Sequence, residues 1–409
     1  MNILQNYPNP DELIAWFDGL NKDSVYEVNG HVHTPFSFSA FSEISEIFEM
    51  AKKENIKVVG INDFFVSDGY PYFYEQSIKH SVFALFNIEF IGLLKEEQAA
   101  GIRINDPNNP GRCYFSGKGL SFPFTLPKDL DAKLYSVVQE SQVQVQKMVD
   151  KANAWFTELN AGIFLDFKSL KKKFAKELVR ERHIAKAIRV AVFEKEATEA
   201  GRKELFKLIY GGKDSKVDIN DIPALENEIR GNLLKSGGKA FVEEDDKAFM
   251  NIDEVIKIIV GAGGIPCYPV LLDDKNGTYT EYEADNEKLY AELTKRNIGC
   301  IELIPGRNGA SHLEKFVKFF DSKGFVVNFG TEHNAPDMIP LTCDTRGKVA
   351  LSPEMQRISF EGACVIAAHQ YLRAKGLPAF IDVSGKPETA RKDYFVKLGK
   401  AVIEKFINQ

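Results

Sequence analysis

Several features of membrane, secreted and nucleic-acid-binding proteins are missing from this sequence. No stretch reaches the roughly 20 consecutive apolar residues that a membrane-spanning helix needs. Residues 1–16 contain Asn, Pro, Asp and Glu and lack the basic start and apolar middle of a secretory signal peptide. No basic tract is present, and a formal charge of −6 argues against nucleic acid as the main partner.

Cysteine is also scarce, and no two cysteines have the Cys-x-x-Cys spacing. A thiolate zinc site and a disulfide framework are therefore not indicated. Free thiols in a reducing cytoplasm are the plain interpretation, so the predicted location is cytoplasmic. The five cysteines are Cys113, Cys267, Cys300, Cys343 and Cys364.

The 409 residues are 44% apolar and 27% charged, which is an ordinary composition for a soluble protein. This length suits a single barrel with an insertion. We expect residues 1–125 to form the first part of a β/α barrel and residues 126–250 a helical insertion. Residues 251–409 would complete the barrel and add C-terminal helices.

Two histidines two positions apart, His31 and His33, follow the apolar and polar run 26–28. Side chains at positions i and i+2 of a strand point to the same face, roughly 7 Å apart from a rise of about 3.3 Å per residue. One divalent cation can bind both, because neutral imidazole is the commonest protein metal ligand. Two histidines in a solvated turn, or packed at a strand end, are the alternative.

Strand and helix patterns alternate around this pair. Strands are predicted over residues 24–29, 57–62 and 82–91, and helices over residues 42–54 and 70–79. This order predicts parallel βαβ units, which place functional side chains at the carboxyl ends of the strands. His31, His33, Asp63 and Glu89 fall at or near such ends.

Residues 101–119 are rich in Gly, Pro and Asn and predict a long loop over the barrel mouth. Its cations, Arg112 and Lys118, are candidates for binding an anionic substrate, with solvated loop charges as the alternative. The charged helical pattern of the insertion follows, with long helices predicted over residues 131–159, 170–196 and 221–234. Arg180, Arg182 and His183 are candidates for a lid, although a solvated helix face is the commoner arrangement.

The barrel pattern resumes at residue 251. Strands are predicted over residues 265–270, 299–304 and 324–330, helices over 252–260, 283–296 and 312–322, and two closing helices over 352–375 and 387–407. Six strands are thus predicted, so one or two more must lie in ambiguous segments. Arg307 follows a strand where barrel loops often hold an anion, with a surface salt bridge as the alternative. Glu332 and His333 follow the last strand.

The predicted metal ligands are His31, His33, Glu89, Glu332 and His333. This mixture of imidazole and carboxylate suits Zn, Mn or Fe better than Ca or Mg. Such a cation lowers the pKa of a water molecule and polarises a carbonyl or phosphoryl oxygen. Adjacent residues of a regular strand face opposite ways, so Glu332 and His333 can both bind only if the chain turns there.

The order of these motifs resembles the polymerase-and-histidinol-phosphatase (PHP) family of metal-dependent phosphoesterases. The matching segments are His31-Val32-His33 for its opening His-x-His, residues 60–64 for its strand ending in Thr-Asp-His, residues 87–89 for its metal-bridging glutamate, residues 263–269 for its Gly-Gly…Ala-His-Pro, and residues 330–334 for its Gly-Ser-Asp-x-His. The likeness covers about residues 26–92 and 252–336. It implies a distorted seven-stranded, TIM-like (β/α)7 barrel, a metal centre at the strand ends and hydrolysis of a phosphoester.

The sequence also departs from that family. Phe64 and Tyr268 stand where the family has metal-binding histidines, and residues 37–39 lack the Asp or His that usually follows the opening motif. One or two metal ions, rather than three, are therefore expected. Asp63 is a candidate ligand or general base, with capping of the next turn as the alternative. Tyr268 is a candidate for hydrogen-bonding the substrate, with packing as the alternative.

The hypothesis from the sequence is a PHP-type, metal-dependent hydrolase whose metal-activated water attacks a small anionic substrate, with a phosphoester favoured. Its predicted roles are metal binding by His31, His33, Glu89 and Glu332, ligation or proton shuttling by His333, assistance by Asp63, and substrate binding by Arg112, Lys118, Arg307 and Tyr268. Three alternatives stay open: an amidohydrolase-like enzyme, a metal-dependent sugar or sugar-acid isomerase, and a barrel that only binds a ligand.

Overall fold

The computed structural model describes residues 2–22, 24–274 and 276–409, and its main sheet curves into a nearly closed barrel. The strands are β1 (Glu27–Val32), β2 (Ile56–Phe64), β3 (Phe83–Leu93), β4 (Arg112–Lys118), β5 (Met250–Asn251), β6 (Ile265–Val270), β7 (Cys300–Leu303), β8 (Val326–Phe329), β9 (Asp344–Thr345) and β10 (Val349–Ala350). Seven of them follow one another around the barrel in the order β1-β2-β3-β4-β6-β7-β8, and β5 pairs with β3. The predicted fold class, a distorted α/β barrel of seven strands, is confirmed.

The seventh strand is β4, which lies in the segment for which the sequence predicts a loop. It runs antiparallel to both of its neighbours, so that Ser116 lies opposite Glu89 on β3 and opposite Cys267 on β6. The loop prediction is therefore wrong for residues 112–118. Its Gly, Pro and Asn residues are concentrated before β4, whereas the strand alternates apolar and polar side chains over only seven residues.

The barrel closes where the segment after β8 meets β1. The Glu332 N–H donates to the His31 carbonyl at 2.9 Å, and the His33 N–H donates to the Glu332 carbonyl at 2.7 Å. A Cβ atom at Gly330 would lie 2.3 Å from the His31 Cβ, so only glycine allows this approach. Closure therefore places the last predicted motif directly beside the His-x-His motif.

The helices are α1 (Pro10–Gly19), α2 (Ile44–Lys53), α3 (Tyr70–His80), α4 (Lys95–Ala99), α5 (Lys128–Glu158), α6 (Phe167–Phe174), α7 (Glu181–Lys195), α8 (Glu199–Ile209), α9 (Ile222–Ile229), α10 (Ile252–Gly261), α11 (Asn286–Lys295), α12 (Ala310–Ser322), α13 (Pro353–Ala374) and α14 (Lys392–Ile407). The helices α2 and α3 pack on the outside of β2 and β3. In contrast, α13 packs with Val58, Leu85 and Val326, which lie near the amino ends of their strands. The α13 helix therefore covers that end of the barrel, and the opposite end is left for the site.

The insertion has its own apolar core, formed by the second half of α5 and by α6 to α9. The sequence predicts one helix over residues 170–196, but the structure breaks it into α6 and α7. The basic last turn of α6 and Glu181 in the first turn of α7 each suit the dipole of a separate helix. Between them, the N–H groups of Lys176 and Leu178 donate to the carbonyls of Pro35 and Phe36, which fixes the break onto the barrel mouth. Within the described residues, no helix has the length and apolar character to cross a membrane.

Candidate metal centre

Three of the five predicted ligands converge inside the barrel. His31 and His33 bring their Nε2 atoms to 3.2 Å, and the Glu89 Oε2 lies 3.2 Å from His33 Nε2 and 4.0 Å from His31 Nε2. All three residues are buried. A tetrahedral cation with bonds of about 2.0–2.1 Å separates its ligand atoms by roughly 3.3 Å, so this donor set fits a transition metal such as zinc.

Glu302 determines which nitrogen of His31 carries the proton. Its Oε2 lies 3.0 Å from His31 Nδ1, and a carboxylate can only accept there, so Nδ1 carries the hydrogen. The Nε2 lone pair is thereby left for a cation, as is usual for a histidine that binds metal through one nitrogen and a carboxylate through the other. The Asn62 amide nitrogen lies 3.0 Å from Nε2 and 3.1 Å from Nδ1, so it is within hydrogen-bond distance of the Nε2 lone pair, and a cation bound there would replace this contact.

A second chain of contacts determines which nitrogen of His33 carries the proton. The Ser37 hydroxyl donates to Asp63 Oδ1 at 2.6 Å, which leaves its oxygen to accept from His33 Nδ1 at 3.1 Å. Asp63 also accepts from the N–H and the hydroxyl of Thr34, so both of its oxygens are engaged. Asp63 therefore reaches His33 through Ser37, with its Oδ1 3.9 Å from His33 Nδ1, and it lies outside the three-residue ligand group.

The Nε2 atoms of two imidazoles and an oxygen of the Glu89 carboxyl group thus face one another at 3.2–4.0 Å. Burial lowers the pKa of His33 to about 4, so this ring is neutral at pH 7. Burial also raises the pKa of Glu89, because its charge has no adequate partner in the protein. A divalent cation resolves both conditions, since it attracts the lone pairs and neutralises the carboxylate.

The contact between Ser37 and His33 can be tested by removing one oxygen atom. We expect Ser37→Ala to weaken metal binding by about 10- to 100-fold, because His33 loses the partner that fixes its tautomer. Competition with a chromogenic chelator measures this affinity. The control is Ser42→Ala, which removes a hydroxyl from an exposed residue close by in the chain. Equal affinities for both variants would contradict the role of Ser37.

Next to His31, the Glu302 carboxylate is paired with a cation of the protein itself, the Lys118 ammonium. The Lys118 ammonium lies 2.5 Å from Glu302 Oε2, is fully buried and also donates to the Asn62 carbonyl at 3.1 Å. Ser116 donates to the other Glu302 oxygen at 2.5 Å. Although burial alone raises the pKa of Glu302, Lys118 and His31 lower it well below its usual value, so the carboxyl is ionised. The expectation that Lys118 is a substrate-binding loop cation is therefore wrong, because its charge is used inside the barrel.

Glu332 and His333 occupy a sharp turn, which is the condition for both of them to bind one metal ion. The turn nevertheless directs the two side chains to different partners. Both residues have the left-handed backbone, with φ of 64° and 53°. Glu332 is paired with Arg307 and accepts from Asn334 at 3.0 Å. His333 has protein partners on both nitrogens, the Thr331 hydroxyl at 2.8 Å and the Ile339 carbonyl at 2.9 Å. Neither side chain belongs to the three-residue ligand group.

The insertion brings positive charge to the centre. Phe64, which stands where the PHP family has a histidine, stacks on the His33 ring at 4.8 Å, and the Arg180 guanidinium lies 4.3 Å from the Phe64 ring centre. Arg182 lies over Phe38 at 5.9 Å. Within the described residues, neither arginine has a carboxylate within 4.0 Å, whereas Arg180 is close enough for its charge to oppose protonation of His33.

The other predicted substrate residues have partners of their own. Arg112 is paired with Glu244 at 2.6 Å and lies over the Phe249 ring. Arg307 is half-exposed and paired with Glu332. The Tyr268 side chain is buried on the outer face of β6, where its hydroxyl donates to Glu283 at 2.8 Å. The structure thus brings none of these three side chains into the ligand group.

Some site residues were not found from the sequence. Glu302 is a carboxylate within the buried run of β7, and an acid at such a position is itself a signal that a cation lies nearby. Asn62, Ser116 and Ser37 carry no comparable signal, because short polar side chains are common at strand ends and turns. Their roles depend on neighbours that lie far away in the sequence.

Comparisons with known proteins agree with the barrel fold. No protein-family model matches this sequence, and no curated protein does. Among solved structures, it is similar to a protein from Bifidobacterium adolescentis that is provisionally described as a metal-dependent phosphoesterase, with 15% identity, a TM-score of 0.53, and coverage of 82% of this chain and 96% of that one. An amidohydrolase from Chromobacterium violaceum aligns with 14% identity over 81% of this chain and 96% of its own, with a TM-score of 0.48. At such identity the first likeness shows the fold alone, so membership of the PHP family stays a prediction.

Proposed function

We propose that this protein is a metal-dependent hydrolase that binds one divalent cation, Zn, Mn or Fe, through His31, His33 and Glu89 and hydrolyses a small phosphoester. The observation that carries this proposal is the convergence of three buried ligand atoms, which lie 3.2–4.0 Å from one another. Without a cation, the buried Glu89 carboxyl group must either hold a proton or remain an uncompensated charge, and burial raises its pKa accordingly.

The bound cation supplies a water molecule of lowered pKa and polarises the ester. The chain's own residues prepare the site for this chemistry. Glu302, and Asp63 through Ser37, keep the two imidazoles in the tautomers that leave Nε2 free. Phe64 covers one face of the His33 ring and so keeps water from that side.

The proposal of a single cation rests on Lys118. Both oxygens of Glu302 are already engaged, Oε2 by Lys118 and His31 and Oε1 by Ser116, and Lys118 takes the place of a cation beside this carboxylate. The ammonium also supplies positive charge where another metal would have to lie. We therefore expect one equivalent of metal per chain.

An anionic substrate is favoured by the charge around the centre. Arg180 approaches it from the insertion, and the described residues offer this arginine no acidic partner within 4.0 Å. Guanidinium groups without carboxylates suit phosphate oxygens. The PHP-like order of motifs favours a phosphoester over the amide of an amidohydrolase or the sugar of an isomerase.

The test is elemental analysis of the purified protein combined with a screen of phosphate esters before and after chelation. We expect about one equivalent of Zn, Mn or Fe and phosphate release that stops on chelation and returns when the metal is restored. Metal without phosphate release would move the assignment to the amidohydrolase or isomerase class. No metal even after reconstitution would leave a ligand-binding barrel.

A further inference from the structure

The broken helix of the insertion places one arginine in a fixed position beside the ligand group. Its backbone contacts with Pro35 and Phe36 hold residues 176–178 against the segment that follows His33. Arg180 comes two residues later, directly before α7. The N–H of Arg180 donates to His183 Nδ1 at 2.9 Å, which ties the start of that helix down as well. The arginine is therefore held by ordered backbone on both sides.

The Arg180 guanidinium has no acid to neutralise it. The guanidinium lies 4.3 Å from the Phe64 ring centre, and the Phe64 ring is stacked on the ring of His33, one of the proposed metal ligands. Two other arginines of the insertion are paired with acids, Arg189 with Glu226 at 2.8 Å and Arg230 with Glu181 at 2.8 Å. Within residues 2–22, 24–274 and 276–409, no carboxylate comes within 4.0 Å of Arg180. A half-buried guanidinium without an acidic partner is available to bind an anion from outside the protein.

Tyr114 provides a second donor at the same place. It lies two positions before Ser116 on β4, so its side chain shares the inward face with the hydroxyl that contacts Glu302. Its ring centre lies 6.3 Å from that of Phe64. The Tyr114 hydroxyl forms no hydrogen bond within the described part of the chain, although most of the side chain is covered. The Tyr114 hydroxyl is therefore free to donate a hydrogen bond to a ligand at this position.

We propose that Arg180 and Tyr114 form the subsite that binds the phosphoryl oxygens of a phosphate monoester next to the metal ligands. This inference rests on the proposed function and adds the substrate class and the residues that recognise it. The guanidinium presents two parallel N–H groups to two oxygens of the phosphoryl group, and Tyr114 donates to another. The insertion therefore supplies the specificity of the site, while the barrel supplies the metal.

The experiment is calorimetric titration of inorganic phosphate into the metal-loaded protein, with Arg180→Ala, Arg180→Lys and Tyr114→Phe beside the wild type. A charge-assisted pair of hydrogen bonds predicts a dissociation constant about 10- to 100-fold higher for Arg180→Ala. The dissociation constant of Arg180→Lys should lie between those of Arg180→Ala and the wild type, because lysine keeps the positive charge but lacks the two parallel N–H donors of a guanidinium. For Tyr114→Phe we expect roughly a threefold to tenfold weakening, since one hydrogen bond is lost.

Arg202→Ala is the matched control. Arg202 also belongs to the insertion and also lies over a phenylalanine, with its guanidinium 4.1 Å from the Phe193 ring centre. Its removal should leave phosphate binding within about twofold of the wild type. Thermal unfolding and metal content of every variant show whether the fold and the ligand group are intact, and both should be unchanged.

Phosphate affinity of Arg180→Ala within twofold of the wild type would overturn the subsite. Binding of acetate as tight as that of phosphate, and lost in the same variant, would also overturn it, because the subsite would then be specific for carboxylate. If the wild type holds no metal but binds phosphate through Arg180, the subsite stands and the hydrolase proposal fails. If metal and phosphate release are present but Arg180→Ala changes neither KM nor phosphate affinity, only the subsite fails.

Discussion

Replacing His31 by alanine is expected to remove nearly all bound metal from the purified protein and, with it, nearly all hydrolase activity. Only two of the three ligand atoms remain in this variant, His33 Nε2 and Glu89 Oε2, which lie 3.2 Å apart. Loss of a direct ligand should exceed the 10- to 100-fold weakening that is typical when a supporting residue is lost. Elemental analysis and the rate of phosphate release measure the two effects. His312→Ala, which removes an exposed histidine on α12, should change neither.

Glu89→Gln separates loss of metal from loss of fold, because it should change stability in opposite directions with and without metal. In chelator, the wild type keeps a buried carboxylate whose pKa is raised above its value of 4.5 in an unfolded chain. The folded state then holds a proton that the unfolded state releases, so stability is present below about pH 4.5 and is lost as pH rises through the folded pKa. The glutamine of Glu89→Gln does not ionise, so this variant does not lose stability as pH rises. It should therefore be more stable than the wild type in chelator at pH 8.

With metal added, the order should reverse, since only the wild type gains stability from binding. Urea unfolding at pH 5 and pH 8, with chelator and with metal, gives all the values needed. A variant that is less stable than the wild type under all four conditions, or that retains a full equivalent of metal, would contradict the proposed centre.

Lys118→Met is expected to lower the free energy of unfolding by about 3–5 kcal/mol, the usual cost of leaving one charge of a buried pair without its partner. Lys118 and Glu302 are both essentially unexposed, and the distance between their charged atoms is 2.5 Å. Methionine fills a similar volume, so the effect comes mainly from the uncompensated carboxylate. Urea unfolding in chelator measures it without interference from metal.

The double variant Lys118→Met with Glu302→Gln is the control for this interpretation. If the loss comes from the Glu302 charge, neutralising that charge should recover much of the stability, and the two effects should not add. Additive losses would show that Lys118 acts through packing. Retained stability in Lys118→Met, with metal content rising to two equivalents, would show instead that a second ion replaces the ammonium, and would contradict the proposal of a single cation.

Much of the fold and part of the site could be predicted from local patterns. The apolar runs and helical spacings identify six of the seven barrel strands, and the spacing of His31 and His33 predicts that both face one cation. The strand β4 was missed because its seven residues are flanked by a Gly- and Pro-rich stretch that resembles a loop. The helix predicted over residues 170–196 was not divided, because the hydrophobic spacing of α6 and α7 is similar on both sides of the break.

The sequence by itself determined the class of barrel and the chemical type of the donor set, because period-2 and helical spacings and the His-x-His motif are local properties of the chain. Only the tertiary structure decided which residues act together. Closure of the barrel pairs the segment at Glu332 with β1, places Glu302 against His31 from 271 positions away, and puts Lys118 inside the barrel. It also sets Arg180 of the insertion over Phe64. These contacts join side chains distant in sequence, and their distances and burial depend on how separate elements pack, which no local pattern encodes.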